Sequence, residues 1–351
     1  MATTPVVWDS FNTYNTASEV VGHFTTTGTT AINQDAARSR TGNGSIVLVG
    51  GSGGTSGATM SHAGISSDYV VVNAAYYVGA TPTSIARSFL ELQVGSSVKA
   101  RVIVNTDGTL RIDVGTTEVA VSTAGVTVGE VNYLEFVYYS HATSGLWSIY
   151  LDGVEVVSFT GNTVGASGSV ESVLFRSMSA STSTTAAARS NISDVVIATV
   201  TGTPTVAEAR LGAVAHTVIV PTSDITTNGT PSSGSDNFAM VDDVPNDGDA
   251  TYVELAAPND ADLYGHTSSI PSGTTPLGVA VFSAQRLPSG GTTQVRHIIN
   301  DGSTTETGAD LGVGGGFGVA ASFWDESPFG TPSAWTVGAV ESLRFGVEAR
   351  P

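Results

Sequence analysis

The clearest pattern in the chain is an alternation of apolar and polar residues between residues 131 and 159. Leu134, Phe136 and Tyr138 fall on one side of the alternation, whereas Glu135 and Val137 fall on the other. A period of two among aromatic and β-branched residues is typical of a strand with one packed face. The alternation returns at residues 147–151, so a second strand follows the first.

The dipeptide Asp152-Gly153 separates the second strand from a valine-rich run. Both central residues of a two-residue hairpin turn need positive φ, which Asp tolerates and Gly adopts at no steric cost. The stretch therefore predicts three consecutive antiparallel strands, a meander with one packed face.

Further alternating runs, separated by Gly, Asn and Asp turns, continue from residue 5 to residue 200. Short strands at regular spacing predict an all-β sandwich. The length of 351 residues exceeds that of one sandwich of roughly 100–200 residues, so we predict two domains. Residues 201–212 have the composition of a linker, which gives the domains 1–202 and 203–351.

The second domain has weaker patterns than the first. We predict strands at residues 216–220, 238–241, 252–255, 277–282, 295–299, 316–323 and 343–347. Residues 222–236 are rich in Ser, Thr, Gly and Pro, and we expect them not to pack. Trp335, Ala339 and Leu343 recur at helical spacing, which predicts one short helix near the C-terminus with Ser333 as its N-cap.

The composition excludes several classes of function. The formal net charge is −18 and Lys99 is the only lysine, so the chain lacks the basic footprint that nucleic-acid binding requires. The absence of cysteine excludes disulfides and thiolate metal sites. The first residues do not resemble a secretory signal, and no apolar run reaches the roughly 20 residues of a membrane helix. We expect no membrane insertion.

Three motifs in the first half follow one another in a fixed order. They are the Asn-x-Asp-Gly turn at residues 105–108, the aromatic strand at 133–136 and the hairpin at 149–156. In this order they resemble the concanavalin-like, LamG-type sandwich that occurs in structural proteins of tailed bacteriophages. The second half is similar to a domain that often follows it in virion proteins. The matching stretches are residues 209–212 leading into 218–224, then 238–245, 249–253 and 262–264, and finally 334–336 followed by 343–347.

The resemblance implies two consecutive antiparallel β-sandwich domains of the jelly-roll type. It also implies a non-enzymatic virion structural protein, serving as exterior decoration, fibre or tail component. Such a protein is assembled in the host cytoplasm, contacts other virion proteins and is expected to be a homo-oligomer. The alternative is an adhesion module of the virion that binds a host-surface glycan.

Catalytic motifs are absent or incomplete. Retaining glycosidases need two carboxyl groups about 5–5.5 Å apart, and Glu91 and Glu135 each stand alone on their predicted strands. Gly50, Ser52 and Gly54 match the nucleophile-elbow pattern, but more Gly and Ser follow where that motif needs a helix. Lys99 lacks the glycine frame of a phosphate-binding loop. We predict no catalytic residue.

Metal and ligand sites have little local support. The six histidines form no i, i+2 or i, i+4 pair. Several acidic clusters offer oxygen ligands for calcium but lack a complete calcium-binding loop, and turns use the same residues. We therefore predict no cofactor or metal site, with calcium as a weak option. Tyrosines 76, 77, 138, 139 and 150 are candidates for stacking on sugars, although core packing accounts for most of them.

Overall fold

The computed structural model describes residues 3–14, 16–20, 23–28, 30–40, 44–49, 57–82, 86–178, 190–287 and 294–351. The chain divides into two compact units. Unit 1 contains Met1–Asn12 and His23–His216, and unit 2 contains Thr13–Gly22 and Thr217–Pro351. The structure is all-β and antiparallel, which confirms the predicted fold class. Residues 203–216 belong to unit 1, whereas we had predicted them in the second domain.

The described part of unit 1 is built almost entirely of strands, with a 3₁₀ turn at Ala36–Arg38 and one short helix. A further 3₁₀ turn, at Ala17–Glu19, falls in unit 2. The strands are β1 (Thr3–Asp9), β2 (Thr25–Thr27), β3 (Thr30–Asn33), β4 (Ser45–Leu48), β5 (Thr59–Ser67), β6 (Tyr69–Val78), β7 (Arg87–Val94), β8 (Ser97–Val104), β9 (Thr109–Val114), β10 (Thr117–Gly125), β11 (Val131–Tyr139), β12 (Gly145–Leu151), β13 (Val154–Gly161), β14 (Val170–Arg176) and β15 (Ser190–Val200). The helix is α1 (Val206–Ala209).

Two sheets form the sandwich of unit 1. The eight-stranded sheet has the order β13-β12-β11-β6-β15-β4-β3, with β1 paired to β15. The seven-stranded sheet has the order β10-β9-β8-β7-β14-β5-β2. Phe89 of the second sheet lies edge-on to Tyr76 and Phe136 of the first, with ring centroids 5.3 and 6.0 Å apart. All three side chains are fully buried, so these rings lie in the core between the sheets.

The predicted meander is confirmed. Strands β11, β12 and β13 pair antiparallel in sequence, with Leu134 opposite Leu151 and Trp147 opposite Phe159. Asp152 and Gly153 have φ of 50° and 86°, as a two-residue turn with two positive φ angles requires. The alternation places Leu134, Phe136 and Tyr138 in the core.

Lys99 is buried beneath a loop of unit 1. It is 1% exposed, and its Nζ donates hydrogen bonds to the carbonyl oxygens of Ala166 (3.0 Å) and Gly168 (2.5 Å). Burial lowers the pKa of Lys99, and the negative charge of Asp68 partly offsets that effect. The single lysine thus holds the loop that follows β13.

Unit 2 contains shorter strands. They are β16 (Ser223–Thr226), β17 (Thr230–Pro231), β18 (Val253–Glu254), β19 (Ala261–Gly265), β20 (Val279–Gln285), β21 (Gln294–Asn300), β22 (Thr305–Thr307), β23 (Leu311–Gly312), β24 (Gly318–Trp324) and β25 (Arg344–Arg350). The helix α2 spans Val337–Glu341, and a 3₁₀ turn spans Phe238–Met240.

The six-stranded sheet of unit 2 has the order β16-β19-β25-β21-β22, with β23 paired to β21. Strands β20 and β24 pair with each other, as do β17 and β18. One apolar cluster joins Val281, Ile299, Trp335, Val340 and Leu343. The indole of Trp335 also donates a 2.9 Å hydrogen bond to the carbonyl of Trp324, which fixes the segment that leads into α2.

Several predictions for the second half are wrong. Residues 216–220 form no strand, because His216 belongs to unit 1 while Ile219 packs against the core of unit 2. Residues 238–241 form a 3₁₀ turn, and the polar stretch 222–236 contains β16 and β17. The C-terminal helix begins after Thr336, whose hydroxyl accepts from the Ala339 amide, and not after Ser333. The short helix α1 was not predicted.

Among the described residues, no helix has the length and apolar character needed to cross a membrane.

Candidate functional site

The outer face of the eight-stranded sheet is partly covered by the chain itself. We call residues 205–216 the strap. It begins with α1, whose first turn has a capping box between Thr205 and Glu208. The predicted linker at residues 201–212 is therefore mostly a packed element of unit 1 and not a free connection.

Glu135 is the acceptor that holds the strap. Alternation along β11 directs it away from the core, and it is 1% exposed. One carboxylate oxygen accepts a 2.7 Å hydrogen bond from Nε of Arg210. The other oxygen accepts from the amides of Leu211 (2.8 Å) and Gly212 (2.9 Å). Three donors therefore occupy a carboxylate that would otherwise carry an unpaired buried charge.

Arg210 is also stacked on an aromatic ring. Its guanidinium carbon lies 3.5 Å from the ring centroid of Tyr150, a cation–π arrangement. The Tyr150 hydroxyl donates to Glu155 at 2.7 Å. Burial and this carboxylate raise the pKa of Tyr150 to about 12. The phenol thus remains a neutral donor at physiological pH.

A second polar group binds the end of the strap. The amide nitrogen of Asn73 donates to the Tyr133 hydroxyl (2.7 Å) and to the Gly212 carbonyl (2.9 Å). The same hydroxyl accepts from the Val214 amide at 2.9 Å. Arg40 donates to the Val214 carbonyl, and its guanidinium lies 3.8 Å from the Tyr133 ring centroid.

Apolar contacts lie under the polar ones. Val206 and Leu211 of the strap pack on a buried cluster that includes Tyr69, Val71 and Val137. The face that carries Glu135 is thus filled by side chains and backbone of the same chain, and Glu135 has a structural role there.

Glu91, the other carboxylate considered for catalysis, lies on β7 in the opposite sheet. It accepts from Arg176 at 3.3 Å and from Gln93 at 2.8 Å. The cross-strand neighbour Arg101 pairs in turn with the buried Asp113 at 2.8 Å. Because Glu91 and Glu135 belong to different sheets and each binds an arginine, the structure does not bring them together as a catalytic pair.

Three of the histidines have polar partners within unit 1. His23 pairs with Asp9 at 2.7 Å, and His216 pairs with Asp194 at 3.0 Å. Nδ1 of His62 donates to the carbonyl oxygen of His23. Among the described residues, no group of three His, Cys, Asp or Glu side chains is arranged to hold a metal ion.

The acidic clusters shape turns. The carboxylate of Asp301 accepts from the amides of Ser303 and Thr304, and these bonds lower its pKa. Asp262 is 1% exposed and accepts from Asn228, Gly229, Asn237 and Tyr264. Asp301 thus binds the amides of its own turn, whereas Asp262 lies on β19 and binds donors that are distant in the sequence, such as the amides of Asn228 and Gly229.

The tyrosines divide between the core and the surface. Tyr76 and Tyr138 are fully buried, whereas Tyr139 is partly exposed at the end of β11. The ring of Tyr139 stacks on Tyr69 (5.1 Å between centroids) and on His141 (5.7 Å). Within this three-ring stack, Tyr139 and His141 are partly exposed, whereas Tyr69 is buried.

One polar cluster in unit 2 was missed by the sequence analysis. His297 is fully buried, and its two ring nitrogens lie 2.8 Å from the hydroxyls of Ser283 and Ser322. Burial lowers the pKa of His297 to about 4, so the imidazole is neutral at pH 7 and is a weak base. The three residues come from β20, β21 and β24. The sequence contains no local motif from which their contact could be predicted.

The elbow pattern at Gly50, Ser52 and Gly54 lies outside the described residues.

No family model and no curated protein match the chain. Among solved structures it is similar to domain 4 of AbnA, a GH43 extracellular arabinanase from Geobacillus stearothermophilus, at 16% identity and a TM-score of 0.40, covering 57% of this chain and 94% of that one. It is also similar to the cellulose-induced protein Cip1, at 14% identity and a TM-score of 0.39, covering 54% and 96%. A PL-14 alginate lyase from Aplysia kurodai is similar at 12% identity and a TM-score of 0.41, covering 55% and 98%. All three TM-scores are below 0.5, and these likenesses carry no argument about this chain.

Proposed function

We propose that this chain is a non-enzymatic structural component of a tailed-bacteriophage virion, acting as exterior decoration, fibre or tail component. It works by assembly with other virion proteins after synthesis in the host cytoplasm. The order of the sequence motifs at residues 105–108, 133–136 and 149–156 supports the virion assignment.

The observation that carries the non-enzymatic part is the occupation of Glu135. Arg210, Leu211 and Gly212 donate to both of its oxygens, and Tyr150 stacks on the arginine. A carboxylate that pairs with an arginine and accepts from two amides is held in one position, and three of its roughly four lone-pair sites are in use. This use of Glu135 in holding the strap supports the non-enzymatic part of the proposal.

The virion role is tested on particles. Density-gradient-purified phage from cells that carry the gene is probed with an antibody against this chain and by mass spectrometry. We expect the chain at many copies per particle, and gold-labelled antibody at the particle exterior. Its absence from purified particles, with the protein present in the lysate, would contradict the proposal.

A second candidate function is binding of a host-surface glycan, favoured by the stack of Tyr69, Tyr139 and His141. Partly exposed aromatic rings combine an apolar face with polar atoms, as sugar recognition requires. A glycan array with the intact protein and a Tyr139→Ala variant tests it. Tyr252→Ala is the matched control, because Tyr252 is 44% exposed in unit 2. Equal signals from all three proteins, or no signal, would exclude this site.

A further inference from the structure

The sulfur atoms of the chain differ sharply in their surroundings. The protein has no cysteine and four methionines, so every sulfur is a thioether. Met60 and Met178 of unit 1 are fully buried, and Met1 lies outside the described residues. Met240 of unit 2 is partly exposed. Among the described residues, Met240 therefore carries the sulfur that a reagent in solution can reach.

The backbone that carries Met240 is held firmly. Met240 ends the 3₁₀ turn Phe238–Met240, and its amide donates to the carbonyl of Asn237 at 3.0 Å. The carboxylate of Asp224 accepts from the amides of Asn237 (3.0 Å) and Phe238 (2.8 Å) at the start of this turn. The thioether thus extends from a fixed point on the surface of unit 2.

Two hydroxyl groups point at the sulfur. Sδ of Met240 accepts from Oγ of Ser233 at 3.4 Å and from Oγ of Ser232 at 3.6 Å, and both contacts are exposed to solvent. Ser232 is itself positioned by Tyr252, since its amide donates to the Tyr252 carbonyl at 2.8 Å and its hydroxyl accepts from the Tyr252 amide at 3.1 Å. A thioether is a weak acceptor, so two good donors meet a poor partner.

We propose that Met240 is an oxidation site of this protein, with hydrogen peroxide as the oxidant, and that Ser232 and Ser233 hold the resulting sulfoxide. A lone pair of Sδ attacks one peroxide oxygen, so that a sulfur–oxygen bond forms while the oxygen–oxygen bond breaks. The departing hydroxide takes the proton from the transferred oxygen and leaves as water. The sulfur loses two electrons, and the peroxide is reduced by the same two.

The two hydroxyls favour the product over the reactant. A sulfoxide oxygen is polar and accepts hydrogen bonds far better than a thioether, and Ser232 and Ser233 already lie within reach of it. The same change at Met60 or Met178 would place an unpartnered polar group in a fully buried position. The chain thus exposes its sulfur where oxidation costs least stability, whatever the role of the protein in a virion.

Peptide mapping of the intact protein tests the site. The protein is treated with hydrogen peroxide at neutral pH, and the methionine-containing peptides are quantified over time by mass spectrometry. We expect Met240 to gain one oxygen at least about tenfold faster than Met60 and Met178, because oxidation follows exposure. In denaturant the three rates should converge, since the fold sets their order. Equal rates in the folded protein would overturn the assignment.

Thermal unfolding tests the two hydroxyls separately. The melting temperature is measured before and after oxidation in the native chain and in the double variant Ser232→Ala/Ser233→Ala. We expect the change on oxidation to be less favourable in the variant by at least about 2 degrees, because only the native chain has these donors for the sulfoxide. The variant also loses the bond from the Tyr252 amide, but it does so in both oxidation states, and this loss cancels.

Met240→Leu is the matched control, because it conserves volume and removes the sulfur. Its shift after the same treatment measures oxidation elsewhere in the chain and is subtracted from the other two. Equal remaining shifts in the native chain and the double variant would refute the role of the serines.

Discussion

At position 153 glycine is needed because of the backbone conformation and not because space is lacking. Its φ is 86°, and a Cβ added there would meet no heavy atom within 4 Å. A substitution therefore acts through conformational strain and not through a clash. We expect Gly153→Val to lower the free energy of unfolding of the full chain by about 1–3 kcal/mol. Gly153→Asn should cost less, because Asn tolerates left-handed backbone.

Denaturant unfolding of the three proteins measures this effect. An unchanged midpoint for Gly153→Val would show that the hairpin turn does not need positive φ at this position. The hairpin turn at Asp152-Gly153 could be predicted from the sequence because the two turn residues and the apolar runs that flank them are adjacent in the chain.

His297 links the stability of unit 2 to pH. Its pKa is about 4 in the folded protein and 6.5 in its ordinary, solvated state. The folded state therefore keeps His297 neutral while the unfolded state takes up a proton as pH falls below 6.5. This stability is complete above pH 6.5, declines towards pH 4 and amounts to on the order of 2–3 kcal/mol.

The measurement compares unfolding free energies of the native chain and His297→Gln between pH 7 and pH 4. Other groups titrate in both proteins, so the difference between the two pH slopes reports His297. Identical slopes would contradict the assignment. The Ser283–His297–Ser322 cluster was not predictable from the sequence, because it depends on how β20, β21 and β24 meet in space.

At the scale of elements, the strap depends on one carboxylate. Glu135→Ala leaves Arg210 and two amides without their acceptor, and we expect it to lower the free energy of unfolding by about 2–4 kcal/mol. Hydrogen exchange at the amides of Leu211 and Gly212 should accelerate at the same time. Glu91→Gln is the control: it weakens the pairing with Arg176 on the other sheet and should leave exchange in the strap unchanged.

Slow exchange of the Leu211 and Gly212 amides in Glu135→Ala would show that the strap is held by its apolar contacts alone.

The elements that the sequence predicted are those with long, regular alternation. The meander β11–β13 was found because each strand carries at least seven residues and the turn has a distinctive pair. Residues 201–212 were interpreted as a linker because Thr, Gly and Pro make up residues 201–204. The residues that bind the strap, Glu135 and Tyr133, are distant from it in the sequence. Strands β16 and β17 have four and two residues, too few for a period of two to be recognised.

For the whole molecule, we expect no hydrolysis of polysaccharides. Glu91 and Glu135 lie on different sheets and each has an arginine partner. A reducing-sugar assay on a panel of polysaccharides measures this. Turnover that disappears in Glu135→Gln would contradict the expectation and would give the strap a role in covering an active site.

We also expect calcium to contribute little to folding. Asp262 and Asp301 use their oxygens to accept from backbone amides, and any remaining site would bind calcium weakly. Addition of a chelator should therefore shift the melting temperature by less than about ten degrees. A larger drop that excess calcium reverses would reveal a tightly held ion.

The burial of Lys99 has a chemical consequence. It is the only lysine of the chain, and Ala166 and Gly168 accept hydrogen bonds from its ammonium group. Acylating and aldehyde reagents need an exposed, deprotonated amine, so the folded protein offers them no side-chain target. Opening of the loop after β13 would expose a single ε-amine. The rate of acylation at Lys99, measured by mass spectrometry, thus reports how often that loop opens. The measurement needs no introduced label.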